Sequence, residues 1–398
     1  MVKLHQPTSR KRGRLGLSWQ SLTLASMLLF SAFGGAIATK ESKVDHTKVE
    51  NAMDEKQPVK KFITSAYVYD HAGLTFSQRD AGHLDQMNYS FALIKDGKVS
   101  GAHWKSIKQF HAFIKANPHI LPVLSVGGWG ADGFSQAAFT QEGRRLFVDS
   151  SLELMEQYGF LGIDIDWEYP GSSAAGIASK PADKENFTLL LSDLRAGLNE
   201  LTRKDGKERK LCIAVGGTVS ATELIENLQV SELVDQINLM TYDMQASNLA
   251  THHTNLYPSG DVYDASVDTA VEAYVEAGIP REKIMIGCAF YGRVFSLKGT
   301  KGKGLYQPSR SPASNAYNYG KLQAVMAQGE YERHYDEEAQ APYLVKAGTF
   351  ISYDDPDSIK AKAAYVREHE LMGLMSWEYG GDPSGDLLSA MYEGLNQP

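Results

Sequence analysis

The sequence predicts an α/β fold: a closed parallel (β/α)8 TIM barrel with a small α+β insertion between the seventh and eighth strands. Three observations predict it. Eight short apolar, strand-like runs alternate with amphipathic helical stretches from Phe62 onward in the 398-residue chain. Polar and aromatic residues recur at the ends of these runs, where barrels of this kind gather their working groups. One interval, residues 296–352, is far longer than the rest and rich in Gly, Tyr and Lys. An open doubly wound sheet is the alternative, but no glycine-rich phosphate loop supports it.

Taken in order, residues 1–38 read apart from the rest. Lys3, Arg10, Lys11, Arg12 and Arg14 form a basic start without acids, followed by an apolar run from Leu22 to Ala38 that ends Ala36-Ile37-Ala38. This is the pattern of a signal peptide, with cleavage expected after Ala38 and a secreted or periplasmic destination. An uncleaved anchor helix is the alternative, since the run is about long enough to span a bilayer. Residues 39–60 are polar, charged and without periodicity, and read as a flexible linker. Residues 61–398 then form the barrel, with 296–352 as the inserted lobe. Loss of the first 38 residues removes five of 40 basic residues and none of 48 acidic ones, leaving 35 against 48, a net charge of −13. Such an acidic body argues against nucleic acid or an anionic membrane as partner and suits a neutral substrate.

The strand candidates are residues 62–69, 86–94, 121–128, 160–167, 210–217, 235–243, 283–292 and 371–377. Helices between them carry end signals. Thr140 to Tyr158 holds Leu146, Phe147, Leu152, Leu154 and Met155, with Gly159 as a stop. Ser266 to Ala277 starts on a capping Ser and ends at Gly278-Ile279-Pro280, and residues 358–369 follow Asp354-Asp355-Pro356. The inserted interval reads as a small lobe. Cys212 and Cys288 each sit within an apolar run. They read as two buried thiols, although an exported protein could bridge them.

The fourth candidate strand carries the sharpest signal. In GFLGIDIDWEYP, Asp164, Asp166 and Glu168 occupy alternate positions. Alternate side chains of a strand share a face, with positions i and i+2 roughly 6.6 Å apart. Crowding three carboxyls on one face is costly, and its useful result is to drive their pKa values apart, so that one stays protonated while its neighbours ionise. Ile163, Ile165 and Trp167 point the other way, and Trp167 reads as core. The remaining strand ends bring Tyr67, Trp129, Met240, Tyr242, Asp243, Tyr291, Arg293 and Trp377 toward the same mouth. Aromatic faces beside hydrogen-bonding groups are what a sugar ring requires. The acidic row could instead hold a hard cation, but no further Asp, Glu or His cluster stands out on neighbouring strand ends. His252 and His253 read as loop residues.

These motifs resemble glycoside hydrolase family 18, the chitinase family, over essentially all of residues 60–395. The family's DGxDxDWEYP reads LGIDIDWEYP here, and SVGGW, MTYD, FYGR and GLMSWE also appear, all in the family's order. The segments 183–195 and 335–356 also look like the family, the latter marking its insertion lobe. The resemblance implies an exported chitinase that hydrolyses β-1,4 linkages between N-acetylglucosamine units with retention. It assigns Glu168 as general acid, Asp166 to the substrate's 2-acetamido group, and Asp164 to a proton shared with Asp166. Tyr242 would hydrogen-bond the acetamido carbonyl, with Met240 and Asp243 lining the same pocket. Trp377 would floor the subsite, and Trp129, Tyr67, Tyr291 and Arg293 would border it. No cofactor and no metal are implied. The partner is an N-acetylglucosamine oligo- or polysaccharide, with neither nucleic acid nor stable membrane association, and the protein is expected to be a monomer. The chain departs from the family at Leu161, where the first Asp of the motif belongs, so the neighbours of that position must pair otherwise. A rival reading is a lectin that kept the fold and lost catalysis, but such relatives usually lack the acid that Glu168 supplies.

Overall fold

The computed structural model describes residues 62–260, 263–299, 302, 304–310 and 315–397. The expected signal peptide and linker lie outside the described residues.

Fourteen strands are described, and eight of them close the barrel. These are β1 (Ile63–Tyr69), β2 (Gln86–Lys95), β4 (Leu121–Gly127), β5 (Gly162–Asp166), β6 (Lys210–Gly216), β7 (Gln236–Met240), β8 (Ile284–Ala289) and β14 (Gly373–Trp377). The short β3 (Lys98–Ser100) is a hairpin partner of β2 on the outside. Every barrel strand pairs in parallel with its sequence neighbour, and β1 pairs with both β2 and β14, which closes the ring. All eight candidate runs became barrel strands, buried on both faces: apolar side chains such as Ile163 and Ile165 face the outer helices, while polar ones such as Asn88, Asp164 and Asn238 are buried inside the ring.

The helix signals were sound. Helix Gln141–Tyr158 is capped by the Thr140 side chain and stops at Gly159 in the left-handed conformation. Helix Val267–Glu276 opens on a Ser266–Thr269 capping box. The last of the three begins two residues earlier than expected, at Pro356, because Asp355 caps it. Cys212 and Cys288 are both free and buried.

The insertion is a five-stranded antiparallel sheet with one helix, Tyr319–Ala327. Its strands are β9 (Tyr291–Ser296), β10 (Asn315–Asn318), β11 (Glu332–Asp336), β12 (Ala341–Lys346) and β13 (Thr349–Ser352), in the order β10-β9-β13-β12-β11. The barrel strand therefore ends at Ala289, and Tyr291 and Arg293 belong to the first strand of the lobe. Sequence alone could not separate the two, since β8 and β9 are joined by a single residue in a continuous apolar run.

Candidate active site

Four of the barrel's strands build the acidic centre. On β5, Asp164 points into the barrel and is fully buried. It accepts hydrogen bonds from Ser125 Oγ at 2.7 Å, Tyr67 Oη at 3.0 Å and Asn238 Nδ2 at 3.3 Å. Burial pushes its pKa up to about 6, against the lowering effect of those three donors. Asn238 is held in turn by Gln236, whose Nε2 donates to its Oδ1 at 2.8 Å. Leu161 lies before the start of β5, at the far end from Glu168, and Asp164 finds its partners on β1, β4 and β7.

Asp166, one pleat further, is almost as buried, yet its Oδ1 has no hydrogen-bond partner. Burial raises its pKa well above the usual carboxylate range, and the charges of Glu168 and Asp164 raise it further. Glu168 follows just past the end of β5. Burial moves its pKa up to about 7; a hydrogen bond with Tyr169 opposes the shift and the charge of Asp243 adds to it. The row thus grades from a carboxylate satisfied by three donors, through one left unsatisfied, to an acid that keeps its proton near neutrality.

Two glycines let the strands come this close. Gly127 and Gly128 have φ of +123° and +92°, and a Cβ on Gly127 would meet the Asp166 carbonyl oxygen at 2.0 Å. Gly128 N–H instead donates to that oxygen at 2.9 Å, tying the end of β4 to β5.

The opposite wall comes from β7 and the lobe. Among the described residues the Tyr242 hydroxyl donates only to the Met375 sulfur, a weak acceptor at 4.0 Å, and burial raises its pKa, so it stays a protonated donor. Asp243 adopts φ of +59°, a conformation Asp tolerates better than most residues, and pairs with the Arg293 guanidinium. Burial pushes the Asp243 carboxyl up, but His253 and Arg293 outweigh it and hold the group well below the ordinary carboxylate range. Tyr242 and Tyr291 meet edge to face at 6.1 Å between centroids. Trp377 stacks on Phe91 at 5.6 Å and tilts against Tyr67 at 5.9 Å. Met240, Met285 and Met375 pack with Tyr67 under this floor. Trp129 is 66% exposed, its ring edge-on to Tyr169 at 6.5 Å.

These groups converge on one open cleft of about 1440 Å³. Of the site residues the sequence nominates, Tyr67, Trp129, Asp166, Glu168, Met240, Tyr242, Asp243, Tyr291, Arg293 and Trp377 line it, and Asp164 lies beneath. Trp167 is core, stacked on Phe134 at 5.3 Å and edge-on to Phe187 at 5.7 Å. Sequence reasoning missed Tyr169, Asn238 and His253. His253 lies in a loop, as expected, but it is fully buried there, and its Nδ1 accepts the Asp243 N–H at 3.3 Å. Tyr169 stood in the acidic motif itself and was legible as the residue beside the acid. Nothing local marks Asn238 or His253. Among the described residues, no group of three or more His, Cys, Asp or Glu side chains is arranged to hold a metal.

Comparison with known proteins gives a consistent set of relatives. The family described as glycosyl hydrolases family 18 matches residues 61–382. Chitinase A1 of Niallia circulans is 34% identical over 298 residues, 70% of this chain and 43% of that protein. Chitotriosidase-1 of Mus musculus is 36% identical over 277 residues, 66% of this chain and 58% of its own length. The chain therefore spans about half the length of these two relatives. A solved family 18 N-acetylglucosaminidase from Paenibacillus barengoltzii superposes with a TM-score of 0.81 at 39% identity, covering 84% of this chain and all of that one.

Proposed function

This chain belongs to the glycosyl hydrolases family 18, and from that premise we propose that it is a chitinase hydrolysing β-1,4 linkages between N-acetylglucosamine units, with Glu168 as general acid. The observation that carries the reading is the graded carboxylate row opening into an aromatic-walled cleft. Glu168, with its pKa up to about 7, holds the proton that a departing sugar oxygen needs. The bond from the anomeric carbon to that oxygen breaks as the proton is delivered. The substrate's own acetamido oxygen closes on the anomeric carbon, giving a cyclic oxazolinium intermediate in place of an enzyme ester. The unpaired Oδ1 of Asp166 suits the acetamide N–H, and the weakly hydrogen-bonded hydroxyl of Tyr242 suits its carbonyl. Water, deprotonated by the Glu168 carboxylate, then opens the ring from the same face, so configuration is retained. Asp164 stays beneath as a partner with which Asp166 shares a proton. Trp377 floors the sugar that distorts, and Trp129 offers a stacking face along the cleft.

Release of reducing ends from N-acetylglucosamine oligomers tests this directly. Wild type turns over, while Glu168→Gln binds the oligomers and releases nothing. A wild type that binds tightly without turnover sinks the hydrolase reading in favour of a lectin.

A second reading concerns substrate length. The similarity to the N-acetylglucosaminidase, whose whole chain is matched, favours removal of single N-acetylglucosamine units from short oligomers. Mass spectrometry of products separates the two: one dominant monosaccharide product supports the second reading, mixed oligomers the first. Export belongs to the same proposal, carried by the basic, apolar and small-residue pattern of residues 1–38. Amino-terminal sequencing of the mature protein checks it, with Thr39 as the expected first residue.

A further inference from the structure

Lys362 and Asp354 form an ion pair at 2.6 Å whose side chains are 0% and 1% exposed. Removing both charges from water is costly, and such a pair rarely repays the cost in stability. What it achieves is a fixed geometry, and its hydrogen bonds say for what. Asp354 sits just after β13, the last strand of the lobe, and Lys362 in the helix Pro356–Glu368 that follows. Asp354 Oδ2 accepts the backbone N–H of Ala289, at the end of β8, at 2.9 Å, and its Oδ1 accepts from Ser358 Oγ at 2.7 Å. Lys362 Nζ donates to Thr254 Oγ1 at 2.7 Å. With that oxygen occupied as acceptor, the Thr254 hydroxyl is left to donate, its Oγ1 lying 3.0 Å from the Thr241 carbonyl oxygen and 3.2 Å from Asp354 Oδ2.

The Thr241 carbonyl belongs to the peptide that carries Tyr242. The same residue is gripped from its other side, since Thr241 Oγ1 accepts the Gly287 N–H at 2.7 Å. The Tyr242 ring fills the space that the missing side chain of Gly287 leaves, where a Cβ would meet Cε1 at 2.7 Å. One residue before Thr254, the N–H of His253 donates to Ser352 Oγ at 3.0 Å. The loop from Tyr242 to Thr254 is thus pinned at both ends to the exit of the lobe and to β8.

We propose that the buried Lys362–Asp354 pair, acting through Thr254, is a positioning device for Tyr242: it fixes the Thr241–Tyr242 peptide so that the phenol faces the acetamido group of the bound sugar. The inference rests on the hydrolase reading and names the residues that hold one wall of that site in register. None of the three touches substrate. Their effect falls on the step in which the acetamido group closes on the anomeric carbon, where placement of the donor counts most.

The test uses Thr254→Val, which keeps shape and removes only the hydroxyl, with Thr254→Ser as the conservative control. The neutral, similarly shaped pair Asp354→Asn/Lys362→Met covers the ion pair itself. Steady-state kinetics on N-acetylglucosamine oligomers are read with binding of N-acetylglucosamine thiazoline, a mimic of the cyclised intermediate. The expected result for Thr254→Val is a kcat about tenfold lower, the scale of one lost hydrogen bond, with KM within about twofold. Thiazoline binding weakens about tenfold, the melting temperature stays within a few degrees, and Thr254→Ser recovers the wild-type values. The charge-free pair moves kcat and thiazoline binding in the same direction. Wild-type kcat in Thr254→Val, or thiazoline binding unchanged in both variants, overturns the positioning role while leaving the hydrolase reading intact. A wild type that turns over nothing overturns the hydrolase reading and this inference with it.

Discussion

Two of the places where the chain buries carboxylates treat them in opposite ways. Asp354 has a lysine at 2.6 Å, two hydroxyls and a backbone N–H around it. Asp164, Asp166 and Glu168 share a face with no cation in ion-pair contact among the described residues. Where a cation is supplied, the carboxylate is fully paired and holds backbone in place. Where it is withheld, burial and mutual repulsion keep protons on the acids. One arrangement fixes geometry; the other, on the proposed hydrolase reading, holds a proton for transfer. Asp243 lies between them, paired with Arg293 yet close enough to Glu168 to help keep it protonated.

The largest effect that could break this contrast is at the acid itself. Glu168→Gln should lower turnover by about a thousandfold or more, within the range of general-acid contributions, with oligomer binding retained. Rates on matched oligomers check it, and residual activity near wild type would remove Glu168 from the reaction. Next comes the paired site. Lys362→Met alone leaves Asp354 buried and uncompensated, at a cost of about 3–5 kcal/mol. Calorimetry should show a melting temperature several degrees lower, whereas Glu168→Gln should not destabilise at pH 8.

The pH dependence sharpens the comparison further. Asp164 and Glu168 have folded pKa values of about 6 and about 7, above their ordinary values of 3.8 and 4.5. The native state therefore binds more protons than the unfolded state between roughly pH 4 and 7. Stability from these groups is fully present below the unfolded values and is lost as pH rises through the folded ones. Melting curves should show wild type less stable at pH 8 than at pH 5, and Glu168→Gln should flatten that decline. Turnover should fall on the alkaline side through about pH 7, and Asp243→Asn, which removes a charge that raises the Glu168 pKa, should move that limb to lower pH. A limb flat to pH 10 would detach the rate from the Glu168 proton. The smallest expected effect is at the exposed rim: Trp129→Ala should raise KM for longer oligomers severalfold, the scale of one aromatic stacking contact, with kcat little changed.

The acids were legible in the sequence because the period of a strand is two, so GIDID alone puts Asp164 and Asp166 on one face. The eight strands were legible for a similar reason: each buried run stands out between helices with marked ends, as at Thr140 and Gly159. The lobe's starting point was not, since Phe290 is the only residue between β8 and β9 and nothing in FYGRVF marks the change of sheet. Neither was the support under the site. Asp164 meets Tyr67 across 97 residues and Asn238 across 74, and Lys362 meets Thr254 across 108. His253 looked like one polar residue among several in a loop; only its burial against Tyr291 and Asp243 sets it apart.

By itself, then, the order of residues determined the barrel, the face on which the carboxylates stand and the motifs around the mouth, because strand alternation and helix capping are local rules. The folded chain decided which of those carboxylates keeps a proton and which lysine holds the wall opposite. A pKa and a hydrogen bond depend on distance and burial, and both are set by residues far apart along the chain that closing the ring brings together.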